Sequence, residues 1–241
     1  VYIVLNIALA GLLLALTVLF QPPIVAYALV LLSKWRVFAV RPRFWWANLQ
    51  TNMVDMLVGI SVVTLIWQST GIFLVQLALA ALYATWLLIL KPRSSRKYMV
   101  IQAGVSQFLG ITALFSAAHL VDSALIVIGC FVIGYLVARH VFTAYEEDDP
   151  TFLSIVWGFL IAELGWASYH WVMAYDITPT LLLPMVSIIA ALFGFVGVRF
   201  FDAKFHDEPL RKRLQAPVLF TIAVLAVLLI RELSVLFNYT S

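Results

Sequence analysis

The chain has 241 residues, of which 64% are hydrophobic and 11% charged. Its mean hydropathy is +1.03. A soluble domain is about half apolar and about a quarter charged, and a chain of this size cannot hide such an excess in one core, so a soluble globule, a disordered chain and a disulfide-stapled secreted scaffold are excluded. The single cysteine, Cys130, permits no internal disulfide and no Cys-x-x-Cys metal motif. The net charge of +3 does not indicate nucleic acid, because the cations fall in short clusters between apolar runs. The composition predicts an all-α polytopic transmembrane bundle forming one domain over residues 1–241.

A bilayer core of about 30 Å needs roughly 20 apolar residues in a helix. Helices satisfy every backbone N–H and C=O internally, and the alternating pattern of a membrane barrel is absent. Nine apolar runs follow in order: 1–20, 24–40, 45–68, 71–90, 98–119, 123–141, 151–175, 178–200 and 216–237. The first has no basic flank, and reads as a span rather than a signal peptide. Gln21-Pro22-Pro23 breaks it from the second, which meets Ser33 and Lys34 after only nine clean residues, Ile24 to Leu32. Two readings stay open there. Either Lys34 and Arg36 snorkel to the head groups and nine spans result, or residues up to 33 form a kinked or re-entrant extension of the first helix and eight remain.

Charge supports nine. Lys34, Arg36, Arg41 and Arg43 form one cluster, and Lys91, Arg93, Arg96 and Lys97 a second. Arg139 stands alone, and Arg199, Lys204, Arg211, Lys212 and Arg213 close the series. All four positions then fall on one side, which the positive-inside tendency makes cytoplasmic. The N-terminus is expected inside, the C-terminus outside, in a multi-pass cytoplasmic-type (inner) membrane. Trp35, Trp45, Trp46, Trp67, Trp166, Trp171 and Tyr175 lie near span ends, as interfacial aromatics do. In the acidic run Glu146-Glu147-Asp148-Asp149-Pro150, Asp149 is placed to cap the next helix with Pro150 in its first turn.

Ionisable groups within the spans carry the functional signal, since a charge at mid-bilayer costs about 2.5–3.5 kcal/mol on insertion scales. Arg231, followed by Glu232, lies in the last span, and Glu163 sits near the middle of the seventh, sharing a face with His170. A Glu163–Arg231 pair is expected. In the third span Asn48, Asn52, Asp55 and Gly59 form a second polar stripe, and Gln76, Gln102, Ser106 and Gln107 add polar groups on the fourth and fifth. The candidate site is therefore Glu163, Arg231, His170, Asp55, Asn52 and Glu232. Its leading role is binding or passage of a small solute or ion through a polar cavity. The alternatives are a non-catalytic membrane subunit with a structural Glu–Arg pair, and an intramembrane lipid-modifying enzyme whose basic clusters hold phosphate head groups.

No catalytic motif accompanies these residues. The loops lack Asp-rich magnesium and pyrophosphate motifs, and no Gly-rich nucleotide loop is present. The histidines are not placed as two ligands at one depth on facing helices. No cofactor or metal is expected. The expected partners are the lipid bilayer, a small solute or ion, and a membrane-protein partner or second copy, with no nucleic acid.

Overall fold

The computed structural model describes all residues except 36–38, 40, 172–173, 178–180 and 241, together with side chains other than those of 46, 47 and 232–240. The expectations for Arg36, Trp46 and Glu232 thus lie outside the described residues. The chain forms two compact units, Val1–Ser187 and Ile188–Ser241. The fold is all-α, and among the described residues eight helices are long and apolar enough to cross a membrane. Many large apolar side chains point outward, among them Leu19, Leu74, Phe159 and Leu229. Such a surface suits lipid, where apolar contact carries no penalty, and would be a liability in water.

In the first unit, α1 (Tyr2–Leu19) ends before Gln21-Pro22-Pro23. Proline lacks the N–H and clashes with the preceding turn, so the helix cannot continue through it. α2 (Ile24–Leu32) starts directly after the proline pair and has nine residues. At 1.5 Å per residue it is about 14 Å long, less than half a bilayer core. The second expected span, 24–40, is therefore not a full-length helix. α3 (Trp45–Gln68) follows with 24 residues. α4 (Phe73–Thr85) runs without interruption into a single π turn, Trp86–Leu90. Then come α5 (Arg96–Ser116), α6 (Ser123–Ala144) and α7 (Pro150–His170). The expected cap is present: the Asp149 side chain accepts from Phe152 N at 3.1 Å, with Pro150 beginning the helix.

Side-chain pairing fixes the directions of these helices. Tyr27 Oη meets Thr64 Oγ1 at 2.9 Å, Val30 packs on Gly59, and Lys34 reaches Asp55, so numbers rise along α2 as they fall along α3. α4 is antiparallel to α3 by the same logic, with Gln76 bonded to the Ile66 carbonyl and Trp86 to Asp55. Gln21 reaches Thr70, and Tyr2 Oη bonds the Leu87 carbonyl, so α1 runs parallel to α3. The chain therefore turns back between α1 and α3, and α2 covers only part of that return. The basic residues Lys91, Arg93 and Arg96 gather with Arg139 at one end of this unit: Arg96 Nε donates to the Ala144 carbonyl, and Arg139 to Thr151 at the start of α7.

Two short segments differ from the expected helix ends. Ala174–Asp176 (β1) and Leu182–Pro184 (β2) form a small antiparallel hairpin, Tyr175 opposite Leu183. Pro184 holds Leu183 extended. Ser116 Oγ donates to the Leu182 carbonyl, and Leu181 is buried beside Leu65 and Ala113, so the hairpin covers the ends of α3 and α5. In the second unit, α8 (Met185–Phe205) and α9 (Leu210–Thr240) are joined by a short turn. The basic triplet Arg211, Lys212 and Arg213, expected in a loop, occupies the first turn of α9, and α9 continues through Pro217.

α6 and α7 approach closely because glycines line the seam, a common solution where lipid supplies no hydrophobic drive for helix association. A Cβ on Gly134 would fall 2.9 Å from Ile161 Cβ and 3.1 Å from Gly158 Cα, whereas nothing lies within 4 Å of one on Gly104 of α5. Gly134→Ala is expected to cost about 1–3 kcal/mol through overpacking, and Gly104→Ala to be neutral or stabilising by about 0.5–1 kcal/mol. Thermal unfolding of the two variants in detergent checks this; equal midpoints would contradict the close seam.

Candidate functional site

Asp55 stands ten residues into α3, about 15 Å from its start at 1.5 Å per residue. Its side chain is 10% exposed. Three donors converge on it. Trp86 Nε1 donates to Oδ1 at 2.8 Å, Lys91 Nζ lies 2.8 Å from Oδ2, and Lys34 Nζ pairs with the same oxygen. Lys34 is 6% exposed at its side chain and Lys91 33%. Lys34 thus turns inward to a carboxylate and does not snorkel to the head groups.

The local structure explains how two ammoniums share one carboxylate. Lys34 comes immediately after the end of α2, and Lys91 immediately after the π turn of α4. A helix C-terminus carries a partial negative charge of about half an electron. Two such ends face the two lysines and offset the second positive charge. Burial works against the Lys91 ammonium, but Asp55 outweighs it, so its pKa lies above the ordinary lysine value. The carbonyls freed at the end of α4 are also satisfied: Gln102 Nε2 donates to Leu90 O at 2.6 Å and Arg93 O at 2.9 Å. Gln102 Oε1 in turn lies 3.3 Å from His140 Nε2. One polar atom beside the centre is unsatisfied. Tyr83 Oη, on α4 three residues before Trp86, is buried with no hydrogen-bond partner among the described residues.

The other expected residues are placed as follows. Asn52 is half-buried, and its Nδ2 donates locally to the Asn48 carbonyl at 2.9 Å and to Thr51 Oγ1 at 3.4 Å. Glu163 is exposed on α7, and His170 is exposed at its end, with Nδ1 2.9 Å from the Trp166 carbonyl oxygen. Arg231 is exposed on α9, in the other unit. The polar residues of α4 and α5 tie helices together: Gln76 to α3, Gln107 to Trp157 of α7 at 2.9 Å, and Thr112 to Ser187 at 2.9 Å. Among the described residues no three His, Cys, Asp or Glu side chains converge as a metal site would require.

Asp55 was legible in the sequence, but its partners Lys34, Lys91 and Trp86 were not. The lysines read as members of topology-setting clusters. A usable signal did exist: Asp55 is the one acidic residue among the first 121, against eight Lys and Arg in the same stretch.

Removing one partner of a buried ion pair costs about 3–5 kcal/mol, because the remaining charge stays buried, whereas replacing the whole pair with apolar groups is often neutral. Asp55→Ala is expected to lower stability by that amount, and Asp55→Leu with Lys34→Met and Lys91→Met to recover most of it. Denaturation of the variants in detergent measures this; an Asp55→Ala protein as stable as the parent would contradict the pairing. Set beside protein-family models, curated proteins and solved structures, the chain matches none, and its site is read from its own geometry.

Proposed function

We propose that this integral membrane protein binds and passes a small ion or proton, with the Lys34–Asp55–Lys91 cluster as the exchange centre. The observation that carries this reading is that α2 stops part-way along α3, beside a buried carboxylate held by two ammoniums. Ionisable groups within a membrane bundle mark transport pathways and proton relays more often than not, and interrupted helices at such groups are a recurrent feature of secondary transporters. The π turn of α4 at the same level fits, since such turns concentrate at functional sites. A cation arriving at Asp55 would have to displace a lysine, and that displacement would free the end of α2. Glu163, on the exposed face of α7, is the second titratable position in the pathway.

A structural role is the competing reading, and one observation favours it: both Asp55 oxygens are already occupied, by three donors. Flux measurements on purified protein in proteoliposomes separate the two. With proton, alkali-cation and halide gradients imposed in turn, at least one is expected to dissipate faster than in empty vesicles. Asp55→Asn is expected to abolish that flux in a protein that still folds, and Glu163→Gln to reduce it. Wild-type vesicles no leakier than empty ones to every ion tested would leave the structural reading.

The basic end of the bundle is proposed to face the cytoplasm. Ser94 is exposed in the basic loop between α4 and α5, and Asp122 is exposed at the opposite end. The native Cys130 is buried and adds little background. With a membrane-impermeant maleimide, Asp122→Cys is expected to label in intact cells and Ser94→Cys only after permeabilisation. The reverse pattern would invert the orientation.

A further inference from the structure

The second unit holds a separate groove between α8 and α9, of about 400 Å³. Phe195, Pro217 and Phe220 supply its apolar wall, with Arg199, Lys212 and Arg213 among the lining residues. The two phenyl rings meet edge to face at 6.3 Å between centres. Arg213 is committed within the protein. It forms two bonds to Glu208 and lies 3.8 Å from Asp202, and that hydrogen bonding holds the Glu208 carboxyl below its ordinary range. Arg199 and Lys212 differ. Among the described residues neither has a carboxylate within ion-pair distance, and the Arg199 guanidinium lies 5.2 Å from the Phe195 ring centre.

Lys212 and Arg213 also stand in the first turn of α9, where the helix dipole is positive and disfavours cations. Glu208 and Asp202 answer Arg213, whereas Lys212 has no such carboxylate among the described residues, and an anion placed there would relieve its charge. The groove opens between two membrane-crossing helices, so an acyl chain can lie along the phenylalanine wall while the anion meets the basic residues. From this charge complementarity we infer that the groove is a binding site for the phosphate head group of an anionic phospholipid, distinct from the Asp55 cluster.

Native mass spectrometry of the full chain, released from detergent with added phosphatidylglycerol or phosphatidylcholine, tests this. Wild-type protein is expected to retain phosphatidylglycerol in preference to phosphatidylcholine. Arg199→Gln and Lys212→Gln are each expected to lower that retention by about fivefold. Arg93→Gln with Lys97→Gln, which removes two charges from the other unit, is expected to leave it unchanged, and millimolar inorganic phosphate is expected not to displace the lipid. Three results would overturn the assignment: no head-group preference in the wild type, equal loss in the Arg93/Lys97 variant, or displacement by free phosphate. The wild-type comparison and the single variants keep the test decisive should the double variant fail to fold.

Discussion

A helix that stops inside a bilayer leaves carbonyls that no lipid can satisfy. α2 stops after nine residues, and the cation that follows it has nowhere aqueous to go along the face it packs against. Ser33 and the Lys34 N–H answer the first problem: Ser33 N and Oγ donate to the Leu29 and Val30 carbonyls, and Lys34 N to the Leu31 carbonyl. Asp55 answers the second. Its carboxylate receives Lys34, and through Lys34 it pins the end of α2 against α3. Lys91 and Trp86 bring the end of α4 to the same point. One carboxylate is thus a point shared by α2, α3 and α4, alongside the Tyr27–Thr64 and Gln76–Ile66 ties. The core around it agrees with this geometry: Val30, Val58, Tyr83 and Leu87 are nearly or wholly buried within a single apolar cluster.

The same arrangement concentrates charge at one point. Three donors on two oxygens form a crowded, low-dielectric centre in which each interaction is strong and the removal of any one is costly. Two helix ends contribute partial negative charge, so the centre tolerates two ammoniums without a second acid. Among the described residues, Tyr83 Oη is also buried near this centre without a partner.

The two units handle charge differently. In the first, the buried cations are matched by Asp55 and by helix ends, and the polar residues of α5 serve as ties between helices. In the second, Arg213 is neutralised by Glu208 and Asp202, while Arg199 and Lys212 line an apolar groove. An excess of positive charge at a bundle end sets topology whether or not it binds anything. What distinguishes this end is the groove, because it gives an anionic amphiphile a place for both its head and its chain.

Sequence alone determined the solvent and the class. Hydrophobic runs of bilayer length, separated by charged or Pro-rich breaks, admit little but a helical membrane protein, since backbone hydrogen bonding in lipid leaves few alternatives. It also located the Asp149 cap and the polar residues of α3 and α5, because capping and periodicity are local. It could not decide that Lys34 and Lys91 meet Asp55 from 21 and 36 residues away in the chain, nor that Ala174–Asp176 and Leu182–Pro184 pair over the ends of α3 and α5. A lysine at the end of an apolar run has the same sequence signature whether it turns out to the head groups or in to a carboxylate. Only the packing of α2 and α4 on α3 selects the inward course, by bringing an acid within reach before water is.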